Sequence, residues 1–277
     1  MGFRINTNVS SLQAQGSLNK VNKESQESFS KLSSGERITK SADDAAGLAI
    51  SEKMKGEIRS AKQASRNAND GISMVQVAEG GLNETSNILT RMRELAVQSA
   101  SDTIGDTERE MSNLEYQQLK SEMDRISQVT EFNGKKLLSG DDEKIEFQVG
   151  TKSDEFNDRI ALDRSGLNAS NESLGVASLE VSSKQGAQDS MAALDSAIQK
   201  VSGQRAILGS VQNRLTSTTS NLATYTENMS SANSRIRDVD YAEETAKQAR
   251  NQIISAAGTS VLAQANVSGQ NALKLIG

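Results

Sequence analysis

Residues 194–236, LDSAIQKVSGQRAILGSVQNRLTSTTSNLATYTENMSSANSRI, set Leu194, Val201, Leu208, Leu215, Leu222, Met229 and Ile236 seven residues apart without a break. Val211, Thr218, Tyr225 and Ala232 follow the four middle-to-late members of this series at a spacing of three. A repeat of this kind keeps one narrow stripe turned toward a partner along a whole α-helix, so the stretch predicts an intramolecular coiled-coil seam. Gln204 and Arg205 interrupt it near its start and read as a solvated or register-setting spot.

A matching stripe lies upstream. Ile58, Ala61, Ala68, Ile72, Val75, Leu82, Leu89 and Ala96 recur in steps built from three and four, with Ser65, Glu79, Ser86 and Arg93 filling the remaining stripe positions. A helix over that span would be about 58 Å long at 1.5 Å per residue, so it needs an equally long partner. A third helical pattern, at about 107–129, carries Met111, Leu114, Leu119, Met123 and Ile126 and is expected to pack into the same bundle. Turn sequences then break the helical pattern at Phe132-Asn133-Gly134 and at Gly140-Asp141-Asp142. After them Ile145, Phe147 and Val149, then Ile160 and Leu162, alternate with polar residues as half-buried strands do. The expected fold is mainly α: a long antiparallel coiled-coil bundle of N- and C-terminal segments, with a small β-hairpin region at about 131–165.

Composition agrees with long helices and excludes several functions. The 277 residues contain no Pro, no Trp and 3% aromatics, too few large side chains for a compact α/β core. A net charge of -5 gives no pull toward nucleic acid. With no His and no Cys, the usual nucleophile–base pairs and transition-metal sites are missing, so no catalytic, cofactor or metal site is expected. Asp43-Asp44 reads as a helix start in a Ser41-Ala42-Asp43-Asp44 capping box rather than a catalytic carboxylate pair. Asp141-Asp142-Glu143 reads as a solvated turn rather than a cation site. No run of about 18 apolar residues is present, so membrane insertion is not expected.

The two ends carry a different signal. Residues 5–19 contain no charge and residues 251–277 contain one, Lys274, although both mix Ile, Val, Leu and Ala with Ser, Gln and Asn. An exposed helix normally carries Lys and Glu, so these stretches are expected to be buried inside an assembly. Ile5, Val9, Leu12, Ile253, Ile254, Val261, Leu262 and Leu273 are the candidate assembly residues. Both ends are expected to be disordered in the isolated chain and to fold as copies associate.

Six stretches, in order, resemble bacterial flagellin over essentially the whole chain: Ile5-Asn6-Thr7-Asn8, Leu32-Ser33-Ser34-Gly35, residues 43–50 (DDAAGLAI), 64–73 (ASRNANDGIS), 93–100 (RELAVQSA) and 257–266 (AGTSVLAQAN). The resemblance implies a structural, non-enzymatic subunit of the flagellar filament, without cofactors and without further surface domains. It assigns residues 1–45 with 236–277 to an inner-tube helical domain and 46–235 to an outer-shell bundle. Implied partners are further copies of the chain, the flagellar export apparatus, a flagellin-specific chaperone, and the filament cap and hook–filament junction proteins. Secretion without a cleavable signal peptide is also implied. Arg91, Leu95 and Glu115 fall on positions resembling the site read by the vertebrate innate-immune flagellin receptor. A hook–filament junction protein with flagellin-like ends is the alternative.

Overall fold

In the computed structural model, which describes residues 7–140 and 144–274 with the side chains of 268–274 excepted, the chain is built from six helices and two small hairpins. The order is α1 Val9–Ser34, α2 Ala45–Ser99, α3 Asp106–Val129, β1 Glu131–Phe132, β2 Lys135–Lys136, β3 Lys144–Gln148, β4 Arg159–Asp163, α4 Asn171–Leu174, α5 Lys184–Arg237 and α6 Tyr241–Lys274. Contacts divide it into two compact units, one of residues up to 56 with those from 228 onward, the other of residues 57–227.

The larger unit holds the hydrophobic core. Its spine is α2 against α5, antiparallel as shown by the Arg93–Asp195 pair at 2.6 Å, Glu79–Arg205 at 3.6 Å and the Tyr225 hydroxyl donating to Glu57 at 2.8 Å. On α2, Ala61, Ala68, Val75, Leu82, Leu89 and Ala96 are buried, as the upstream stripe predicts, while Ile58 and Ile72 are half-buried. On α5 the heptad series divides: Leu194, Val201, Leu208 and Leu215 are fully buried, whereas Leu222, Met229 and Ile236 are half-buried. Where the series is interrupted, Gln204 is buried and donates through Nε2 to the Asn168 carbonyl at 2.9 Å, and Arg205 reaches Glu79.

The helix starts are fixed by side chains. The Asp44 carboxylate accepts from the Gly47 amide at 2.8 Å, so Asp44 itself caps α2 in place of Ser41. Asp43 Oδ2 accepts from the Thr39 and Lys40 amides, both at 2.9 Å, closing the preceding turn; the Lys40 amide, then the Thr39 amide and hydroxyl, hold its carboxyl below the ordinary range. Buried Arg109 donates to the Ser99 and Ser101 carbonyls at 2.9 Å, satisfying the orphan end of α2 and fixing the turn into α3.

α3 corrects one expectation. Tyr116, Met123 and Ile126 form its buried stripe with Leu119 beside them, but Met111 and Leu114 are 66% and 68% exposed. At roughly 100° per residue these two lie more than about 100° from the centre of that stripe, so they cannot reach the core that the others fill. The hairpins follow their sequence. Asn133 and Gly134, with φ of 50° and 78°, make the two-residue turn joining β1 to β2. In β3–β4, Ile145 faces Leu162 and Phe147 faces Ile160, all four buried, with Arg159 and Glu146 paired at 2.9 Å on the other face. Asp141, Asp142 and Glu143 lie outside the described residues.

Candidate assembly surface

In the smaller unit α1 and α6 lie against each other, antiparallel. The Asn8 side chain donates to the Ala265 carbonyl at 2.9 Å, the Ser11 hydroxyl to Asn266 at 2.9 Å, the Ser25 hydroxyl to Gln248 at 3.3 Å and the Tyr241 hydroxyl to the Leu32 carbonyl at 3.1 Å. These bonds fix the register along the pair.

Apart from Leu18, Val21 and Leu262, the residues that face inward are small or polar. α1 contributes Ser11, Ala14, Leu18, Val21, Ser25 and Ser28, and α6 contributes Glu244, Gln248, Asn251, Ser255, Gly258 and Leu262; all are buried or half-buried, in steps of three and four. The close approach has a local cause. A Cβ placed on Gly258 would stand 3.0 Å from Leu18 Cδ2 and 3.1 Å from its Cγ, so glycine makes the notch that receives the largest inward side chain of α1. Glu244 is tolerated inside because the Ser28 hydroxyl, then Lys247, hold its carboxyl below the usual range against the opposing effect of burial.

Most of the large aliphatics point the other way. Val9, Leu12, Ile253, Ile254 and Val261 are between 43% and 70% exposed, and Phe29 and Val267 are exposed as well. Of the candidate assembly residues, only Leu262 turns inward; Ile5 and the Leu273 side chain lie outside the described residues. A seam of small and polar groups contributes little hydrophobic stabilisation, while the apolar area that could contribute remains in water. The uncharged ends are plain in the sequence, whereas the exposure of Phe29 and the Leu18–Gly258 notch are revealed only by the helix register.

Beside this pair the chain is tied by ions and backbone bonds. Arg237 pairs with Glu36 at 2.8 Å and with Glu52, and Glu36 first, then Glu52, push its guanidinium above the ordinary value. The Arg37 amide donates to the Arg237 carbonyl at 2.6 Å and the Val239 amide to the Gly35 carbonyl at 3.0 Å, joining the loop after α1 to the link between α5 and α6.

In the larger unit Arg91 bridges Glu115 and Glu94, both at 2.9 Å, on the surface. Leu95, the third member of the suggested receptor site, is only 2% exposed and belongs to the core. The structure thus brings Arg91 and Glu115 together and keeps Leu95 in the core. Among the described residues no cluster is placed to hold a metal ion, and no helix is long and apolar enough to cross a membrane.

A sequence profile of the bacterial flagellin N-terminal helical region matches residues 5–143, and one of the bacterial flagellin C-terminal helical region matches residues 191–276. The chain belongs to the bacterial flagellin family. It is 43% identical over 272 residues to a flagellin of Halalkalibacterium halodurans, covering 98% of this chain and 99% of that one. It is 39% identical over 287 residues to a 33 kDa flagellar filament core protein of Treponema phagedenis, covering 98% and 99%. Among solved structures, a crystal structure of Bacillus cereus flagellin aligns with a TM-score of 0.50 and 34% identity, covering 61% of this chain and 94% of that one. For a flagellin, the outward aliphatics of α1 and α6 are the surface of interest.

Proposed function

We propose that the chain is a structural subunit that polymerises into the bacterial flagellar filament used for swimming, with the α1–α6 pair completed by neighbouring copies. One observation carries this reading: the pair turns its small and polar residues inward and leaves Val9, Leu12, Ile253, Ile254 and Val261 outside, in stretches almost free of charge. Polymerisation removes that area from water without stranding charged groups. The relatives named flagellin or filament core protein support a filament subunit, and no observation favours the hook–filament junction alternative.

Within this reading the chain is not an enzyme. It is secreted through the flagellar export apparatus without a cleavable signal peptide, escorted by a flagellin-specific chaperone, and meets the cap and junction proteins at the two ends of the filament. Recognition by a vertebrate innate-immune receptor would use Arg91 and Glu115. With Leu95 in the core, Arg91→Ala with Glu115→Ala is the cleaner reporter-cell test, and undiminished signalling would refute it.

Purified chain seeded with filament fragments should give long, uniform filaments in negative-stain electron microscopy. Deleting residues 258–277 should abolish them while circular dichroism still reports a folded larger unit. Filaments that persist without that segment would contradict the mechanism.

A further inference from the structure

The larger unit carries an aromatic side chain left almost wholly in solvent. Phe156 is 90% exposed at the tip of the β3–β4 hairpin. The tip is not loose. Asp154 Oδ1 accepts from the Phe156 and Asn157 amides at 2.9 and 2.8 Å, and the Asp154 amide donates to Asp158 Oδ2 at 3.1 Å. The Val149 and Gly150 amides both bond the Asp158 carbonyl, at 2.8 and 2.9 Å. A rigid turn holding a solvent-facing phenyl ring has the character of an interface anchor, since little conformational freedom is lost when the ring docks.

The same unit offers a seat. Met111 and Leu114, one helical turn apart on α3, make an outward apolar spot, and a thioether beside an aliphatic suits an aromatic ring. Charge agrees with the match. Exposed Lys152 and Arg214 flank the Phe156 tip and exposed Glu110 flanks the seat, and none of the three is ion-paired among the described residues.

Tip and seat cannot meet within one copy. Phe156 lies beside Arg214 and Asn221 of α5. The Glu115–Arg91 and Arg93–Asp195 pairs set the seat near the level of Asp195. The separation along α5 is roughly 30–40 Å at 1.5 Å per residue. A knob and a seat on different parts of one chain make a heterologous contact, the kind that propagates an open polymer.

We propose that Phe156 of one copy docks on Met111 and Leu114 of the next, with Arg214 or Lys152 facing Glu110 across the contact. This rests on the reading of the chain as a filament subunit. Because the chain has no Cys, an introduced pair reports the contact cleanly. Filaments grown from the full chain carrying Phe156→Cys and Leu114→Cys should give, on mild oxidation, a ladder of covalent oligomers in denaturing gels, while unassembled chain stays monomeric. Phe156→Ser should raise the critical concentration for seeded assembly roughly tenfold, the effect of losing a hot-spot aromatic, with Phe156→Leu within about threefold of wild type. Filaments that form without a ladder, or Phe156→Ser chains that assemble as wild type does, would overturn the contact and leave Phe156 to solvent or another partner. Wild-type chain that makes no filaments under seeding would instead overturn the parent reading.

Discussion

Replacing Ile253 by Ser should cripple polymerisation while leaving the isolated chain unchanged. Ile253 is 70% exposed on the outer face of α6, so its truncation removes little buried area from the isolated chain. Full burial of an Ile side chain is worth about 1.5–3 kcal/mol, so the part still exposed can contribute about 1–2 kcal/mol when a neighbour covers it. Ser forfeits that and brings an unpartnered hydroxyl into the contact, at about 1–3 kcal/mol. A combined loss of about 3 kcal/mol raises the critical concentration for assembly about 100-fold, since 1.4 kcal/mol is a factor of ten. Seeded assembly followed by sedimentation measures it, with exposed Gln252→Ser as the control that should change little. Urea unfolding of the unassembled chain should shift by less than about 0.5 kcal/mol. An Ile253→Ser chain assembling within about threefold of wild type would refute the reasoning.

The Leu18–Gly258 notch predicts that Gly258→Val weakens filaments, since its Cβ would meet Leu18 at 3.0 Å; overpacking costs about 1–3 kcal/mol, and adding Leu18→Ala should recover part of the lost melting temperature in calorimetry. The divided α5 seam predicts that Leu208→Ala destabilises the chain by about 2–5 kcal/mol in urea unfolding, whereas Leu222→Ala at the same heptad position costs roughly half as much or less. Burial pushes the Tyr116 phenol up to about 12, with the Ser190 hydroxyl opposing it. Its folded value lies above its unfolded value, near 10, so its contribution is fully present below pH 10 and is lost as pH rises toward 12. Tyr116→Phe should therefore flatten the alkaline loss of stability followed by circular dichroism; an unchanged alkaline limb would count against the burial.

The larger unit was legible because its chemistry is redundant. The seven-residue series of α5 and the three-and-four stripe of α2 each specify a buried face, and together they specify partners of equal length. The β3–β4 alternation was equally plain. Met111 and Leu114 misled because an apolar residue in a helical pattern suggests the core, and only the azimuth set by Tyr116 and Met123 shows that they point away. The α1–α6 pair inverts the usual rule. Its seam contains Glu244, Gln248, Asn251 and Gly258, so a search for an apolar stripe selects the outer face, the one proposed to meet neighbours. Phe156 was not legible as a surface anchor because its exposure follows from the turn that the Asp154 and Asp158 carboxylates hold, which no apolar pattern announces.

The claim that neighbouring copies complete the α1–α6 pair is tested most directly by amide hydrogen exchange of residues 9–34 and 241–267, compared between unassembled chain and filaments. The account predicts rapid exchange along both helices in the unassembled chain and slow exchange in filaments, with residues 184–215 of α5 protected in both. Equal, slow exchange of both helices in a proven monomer would contradict it.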